Sequence, residues 1–169
     1  METLELEIAV ARYFEKSADL IVPNVSWGFQ LNYEADLMIL TKSGCLYEVE
    51  IKVSKSDMKA ELKKRRAHSC RYVKFMFYAF PEEYLETAVE IFPEDAGLLV
   101  ACKRKNGLIF VSLHRKPKKR EHISMSLEKK YQLARLGALR IWSLKGVINS
   151  RIPKQLEMDF QGSIWLEND

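Results

Sequence analysis

The chain has 169 residues, 47% hydrophobic and 30% charged, which suits one ordinary globular domain rather than two independent cores. Its 27 lysines and arginines against 23 aspartates and glutamates leave +4, too little by itself to argue for nucleic acid, yet the charge is segregated: residues 52–74 carry +7 and 103–120 carry +8, while 1–51 and 75–102 carry −6 each. No apolar run is long enough to cross a bilayer, no basic segment leads into an apolar leader, and Cys45, Cys70 and Cys102 form no CxxC pair. The expectation is a protein of the reducing cytoplasm without a membrane span, a disulfide framework or a thiolate metal site.

In chain order, Leu4, Ile8, Ala11 and Phe14 recur at helical spacing behind Thr3, with Leu6, Val10 and Tyr13 widening the stripe, predicting a helix that ends near Ser17. From Leu20 the chain changes to short extended pieces broken at Pro23 and Gly28, followed by two alternating runs, 33–40 and 46–53, that read as a hairpin. Ser54 or Ser56 then caps a lysine-rich helix to about Ala67, with Met58 and Leu62 inward, and 72–80 is a continuous apolar strand of central type. Pro81-Glu82-Glu83 opens a short helix to about Ile91. Residues 97–102 and 108–114 form a second hairpin around Asn106-Gly107, and Ser124 or Ser126 opens the longest helix, to about Val147. The order αβββαβ and then αββα predicts a mixed α/β, or α+β, domain on one sheet over residues 1–150, with a polar tail over 151–169.

Chemistry concentrates on the first hairpin. Side chains alternate across a strand, so Glu48, Glu50 and Lys52 share one face and Tyr47, Val49 and Ile51 the other. If Lys42-Ser43-Gly44 is a three-residue turn with glycine in the left-handed position, Asp36 faces Glu50, Glu34 faces Lys52 and Leu37 faces Val49. A slip of one residue would drive carboxylates into the packed side, so the hydrophobic pattern selects the same register. Two facing carboxylates repel unless something compensates, and a divalent cation does so; two carboxylates with waters and a phosphate oxygen suit magnesium, or manganese in its place. Lys52 would then orient a water or stabilise charge developing on phosphate. On the first helix Glu7 falls on the apolar row, a misplaced acid that makes it a further ligand candidate, with Glu5 in reserve. The enzymatic reading requires Asp36 and Glu50 on one side of the sheet and Lys52 within reach of an open cleft.

Asp36 followed by Glu50-Ile51-Lys52, inside an αβββαβ order, resembles the PD-(D/E)XK nuclease superfamily over roughly residues 3–80. Ala35 stands where the eponymous proline would be. The resemblance implies a restriction-endonuclease-like core with an added hairpin and C-terminal helix, and a magnesium site made by Asp36, Glu50, the Ile51 carbonyl and, in several branches, a helix glutamate, here Glu7. More loosely, residues 34–64 resemble small phage or bacterial proteins related to the MmcB DNA-repair group. The implied activity is metal-dependent hydrolysis of DNA phosphodiesters in repair, recombination or phage DNA processing. The alternative is a nuclease-fold module that binds DNA or a protein without cutting.

Lys55, Lys59, Lys63 and Arg66 form one basic stripe on the helix after the motif, suited to a phosphate backbone. Lys103-Arg104-Lys105 and the run from Arg115 and Lys116 to Arg120 form a second basic region with no acid inside it. Gln155, Leu156, Met158 and Phe160 resemble the bacterial sliding-clamp binding peptide, against the plainer reading of a terminal strand packing on the domain. Whether two copies pair, across a sheet edge or the last helix, is left open by the residues.

Overall fold

The computed structural model describes residues 1–63 and 70–151 and falls into two compact units, Met1–Gly137 and Ala138–Asp169. The order is α1 (Thr3–Phe14), β1 (Ala18–Val25), β2 (Ala35–Thr41), β3 (Leu46–Ile51), α2 (Lys55–Lys63), β4 (Val73–Pro81), α3 (Leu85–Ile91), β5 (Gly97–Lys103), β6 (Ile109–Arg115) and α4 (Leu127–Arg151), with a 3₁₀ turn at Glu82–Tyr84 before α3. The αβββαβ–αββα order read from the sequence is therefore the order of the fold. One six-stranded sheet runs β1-β2-β3-β4-β5-β6, antiparallel except for the parallel pairs β3–β4 and β4–β5. Those two parallel connections are the ones that carry helices, as crossovers require.

Within the first unit the sheet is packed on both faces. Against one lies α1, its Leu6, Val10 and Phe14 buried with Leu37, Ile39, Val49, Phe77 and Leu99. On the other, Met58 of α2 and Ala88 of α3 pack with Met76, Tyr78, Phe80 and Leu98, while Leu133 and Leu136 of α4 pack with Val22, Met38 and Leu46. Pro23 is tolerated in β1 because an edge strand leaves one side of its backbone unpaired. The 25-residue α4 passes from the first unit into the second, where its described residues carry Ile141, Trp142, Leu144 and Ile148 on the surface.

The first helix corrects the sequence reading. Leu4 is 64% exposed and Ile8 is also exposed, whereas Leu6, Ala9, Val10 and Phe14 are buried. Apolar residues span more than half of the helix circumference, so periodicity left a wide stripe; the sheet takes its Leu6, Val10 and Phe14 side, and the Phe14 ring meets Tyr47 and Phe77 edge-on. The helix stops at Phe14 rather than Ser17, and the Ser17 N–H and hydroxyl both turn back to the Phe14 carbonyl. Its start is a capping box made by Glu2 and Glu5.

The first hairpin has the anticipated turn and, as far as Leu37↔Val49, the anticipated register; Asp36–Glu50 and Glu34–Lys52 are not ladder partners, the Lys52 N–H going to the Ala79 carbonyl and Glu34 accepting from Asn24. Thr41 N–H donates to the Cys45 carbonyl at 2.9 Å, Gly44 sits at φ +78°, and Leu37↔Val49, Met38↔Glu48, Ile39↔Tyr47 and Leu40↔Leu46 are partners. Beside this turn the Lys74 ammonium lies 3.1 Å from Cys45 Sγ. Burial disfavours the Cys45 thiolate, but hydrogen bonds with Ser43, Lys74 and Thr41 outweigh it and hold the thiol below its ordinary value; burial raises Cys70, and a hydrogen bond with Glu82 raises Cys102. Limiting iodoacetamide at neutral pH, followed by peptide mass mapping, is therefore expected to label Cys45 first. Equal or faster labelling of Cys102 would show that the Lys74 contact does not activate the thiol.

Candidate functional site

Strands β2 and β3 part company at the motif. The ladder runs to Leu37↔Val49, and in a continued register the Ile51 N–H would next be given to the Ala35 carbonyl. Instead it donates to Asp36 Oδ2 at 2.7 Å, while Ala35 stays paired with Val25 of β1. The carboxylate thus takes the place of a ladder acceptor and is fixed against the backbone of the Glu50-Ile51-Lys52 segment. Alternation along β2 puts Asp36 on the side of Met38, which is the side of Glu48 and, two residues on, of Glu50.

That side is not an open polar face. Glu48, Glu50, Lys52 and Glu61 are 0%, 3%, 3% and 4% exposed, and Asp36 is half-buried. Lys52 Nζ lies 2.9 Å from Glu50 Oε2 and 3.2 Å from Glu61 Oε2, so the ammonium bridges a β3 carboxylate and an α2 carboxylate. The Tyr78 hydroxyl, on β4 next to Glu50, donates to Glu61 Oε1 at 3.4 Å, and Tyr33 donates to Glu48 Oε2 at 2.9 Å. Burial alone would depress the Lys52 ammonium; Glu50, Glu61 and Asp36 together outweigh it and raise the group above the ordinary lysine range. The surrounding acids thus favour the ammonium form of Lys52. Lys52 is also covered, so of the two conditions of the enzymatic reading the shared side of Asp36 and Glu50 is met and the open cleft at Lys52 is not.

Glu61 is the site residue that the sequence reading missed, though a signal for it was present. It follows Met58 by three residues, on the face of α2 that packs inward, and an acid on a core face needs a partner as much as Glu7 does. Glu7 itself is half-buried at the edge of the α1 contact face, two turns before Phe14. Burial raises its carboxyl above the ordinary value and the charge of Asp36 raises it further, so Glu7 and Asp36 sense each other. Glu5, by contrast, is taken by Lys103 Nζ at 2.6 Å and by its own helix start.

A raised carboxyl has a defined effect on stability. Well below the carboxylate range Glu7 is protonated in both folded and unfolded chains and costs nothing; as pH rises the unfolded chain ionises first and stability falls, until the folded-state value is passed and the cost is constant. Glu7→Gln is expected to raise the melting temperature of the metal-free protein at neutral pH and to leave it unchanged in strong acid, measured by circular dichroism. A lower melting temperature at neutral pH would mean that a cation of the chain offsets the repulsion.

Among the described residues, no three or more His, Cys, Asp or Glu side chains gather closely enough to form a metal cage. A cation here would rely on Asp36, Glu50 and the Ile51 carbonyl, with the remaining positions filled by water or phosphate, which is how magnesium is ordinarily held. A family model described as DNA repair protein MmcB-like matches residues 2–146.

The chain belongs to the MmcB-like DNA repair protein family.

No curated protein matches it. Among solved structures it is similar to the SPO1766 protein of unknown function from Silicibacter pomeroyi, with a TM-score of 0.61, 19% identity, and coverage of 91% of this chain and 94% of that one. At that identity the likeness speaks for the fold alone.

In this MmcB-like chain the basic residues separate into groups. Lys55 and Lys59 are exposed one turn apart on α2 and line a groove of about 640 Å³ with Thr87, Glu90 and Ile91 of α3. The side chain of Lys63, all of Arg66, and the clamp-like Gln155, Leu156, Met158 and Phe160 lie outside the described residues. Arg104 and Lys105 are exposed at the β5–β6 turn, Arg104 stacked 3.8 Å from the Phe110 ring centroid, and Lys103 pairs with Glu5. Lys116 is exposed. Arg115 differs from the others: its guanidinium donates to the carbonyls of Ala96, Pro93 and Phe92. It thereby secures the segment after α3. Among the described residues no helix is long and apolar enough to cross a membrane.

Proposed function

We propose that this MmcB-like protein is a metal-dependent DNA nuclease of the PD-(D/E)XK type, cutting phosphodiester bonds in DNA repair. The observation that carries the reading is the fork between β2 and β3, where Asp36 is held at 2.7 Å by the Ile51 N–H on the same side as Glu50. The donor set is hard and anionic: two carboxylates and a carbonyl, with Glu7 close enough to Asp36 for their charges to interact. Such donors fit magnesium or manganese. Bound there, the cation would polarise a phosphate oxygen and lower the pKa of a coordinated water. The chain's own part is to fix Asp36 through the backbone, keep Lys52 charged near the site, and present Lys55 and Lys59 to the phosphate backbone.

A second reading, a nuclease-fold module that binds DNA or a protein partner without hydrolysis, is favoured by one observation. Lys52 is covered and engaged by two carboxylates instead of facing a cleft. Calorimetric titration with magnesium and manganese, beside cleavage assays on plasmid, branched and single-stranded DNA, separates the two. Cutting that appears with metal and disappears with a chelator is expected; metal uptake without cutting on any substrate supports the binding module. Affinity for uncut DNA should fall steeply with salt, as contacts to phosphate do.

A further inference from the structure

A cation at Glu50 meets a difficulty that the geometry itself answers. The Lys52 ammonium already lies on Glu50 Oε2 at 2.9 Å, and a divalent ion sharing that carboxylate would face a full positive charge at close range. The ammonium cannot simply be expelled, because leaving a charge buried without a counter-ion is strongly unfavourable. Glu61 is the second acid in place: its Oε2 is 3.2 Å from the same Nζ, it is 4% exposed, and its other oxygen receives the Tyr78 hydroxyl at 3.4 Å. It reaches this point from α2, the helix that begins three residues after Lys52 and carries Lys55 and Lys59 on its exposed side.

We propose that Glu61 is a positioning residue that takes over the Lys52 ammonium when a divalent cation occupies Glu50, so that α2 links metal binding to the placement of the lysine. In the metal-free chain the ammonium acts as an internal counter-ion for both carboxylates; with metal present Glu50 turns to the ion and Glu61 keeps the lysine. No bond is made or broken and no proton moves. The inference rests on the metal-dependent reading above and extends it to a residue outside the D…ExK pattern. It also accounts for a covered lysine in a site that must still admit a cation.

The test is a double-mutant cycle on metal affinity, read without DNA. Manganese binding is measured by calorimetry on the full chain as wild type, Glu61→Gln, Lys52→Gln and the double variant, each checked for folding by circular dichroism. Glu61→Gln is expected to weaken manganese by about tenfold or more, because the ammonium then stays on Glu50, and Lys52→Gln to strengthen it. In the Lys52→Gln background the Glu61 substitution should have little further effect. An equal weakening in both backgrounds, or none in the wild-type background, overturns the handover, since Glu61 would then act only as a distant charge or not at all. Wild-type protein that takes up no manganese overturns the metal site itself, a different result. If Lys52→Gln fails to fold, a manganese-soaked wild-type crystal decides: Nζ on Glu61 and away from Glu50 supports the proposal, and Nζ still on Glu50 refutes it.

Discussion

Asp36→Asn is expected to reduce metal-dependent DNA cleavage by roughly 10²–10³-fold or more while leaving the fold and DNA affinity intact. The substitution is chosen from the hydrogen bond. Asparagine retains a side-chain oxygen to accept the Ile51 N–H, which Asp36 receives at 2.7 Å, so the fork between β2 and β3 is kept and only the charge is lost. An alanine would remove the acceptor as well, leaving the Ile51 N–H to find another and confusing a structural effect with a chemical one. Removing the Asp36 charge relieves its repulsion of Glu7 but also withdraws part of the attraction on the buried Lys52 ammonium, so the two effects oppose and the melting temperature of the variant should stay close to that of the wild type. Single-turnover cleavage and a thermal melt on the same preparation make the check. Near-wild-type cleavage by a folded Asp36→Asn protein would remove Asp36 from the chemistry and, with it, the nuclease reading of this site.

The largest effect on stability is expected from Lys52→Met, at about 3–5 kcal/mol, the usual cost of removing one partner from a buried ionic cluster. The ammonium serves Glu50 at 2.9 Å and Glu61 at 3.2 Å, all three groups nearly inaccessible to water, so its loss takes a buried counter-charge from two acids at once. The pH dependence follows from the direction of the Lys52 shift. A lysine whose folded value is raised contributes stability that is fully present below the unfolded value of about 10.4 and is lost as pH rises through the folded value. The difference between wild type and Lys52→Met should therefore hold through neutral pH and close only in strong alkali. Urea titrations at neutral and alkaline pH measure it. A difference under about 1 kcal/mol at neutral pH would mean that the two acids have other compensation, since that is the scale of an exposed ion pair.

These two expectations separate the roles that the sequence pattern alone ran together. The D…ExK spacing names Asp36, Glu50 and Lys52 as one chemical group, but in the folded chain Asp36 is tied to backbone while Glu50 and Lys52 are tied to each other and to α2. Substituting Lys52 thus tests stability and chemistry together, whereas Asp36→Asn isolates the second.

What was legible in the sequence was local and periodic. Strand alternation has a period of two, and with Gly44 available for the left-handed turn position a single register buries Leu37 and Val49 while bringing Asp36 to the level of Glu50. The element order, the central place of β4 and the exposure of Lys55 and Lys59 follow from the same kind of information, the distribution of apolar and charged residues along one segment. What the tertiary structure alone decided is which side of the wide apolar stripe on α1 meets the sheet, that Glu61 comes down from α2 onto Lys52, and that Arg115 is turned onto the carbonyls behind α3. Each of these depends on what packs opposite a residue, and the opposing group lies on another element. A charge is exposed or buried according to its neighbours in space, and only the closed fold supplies them.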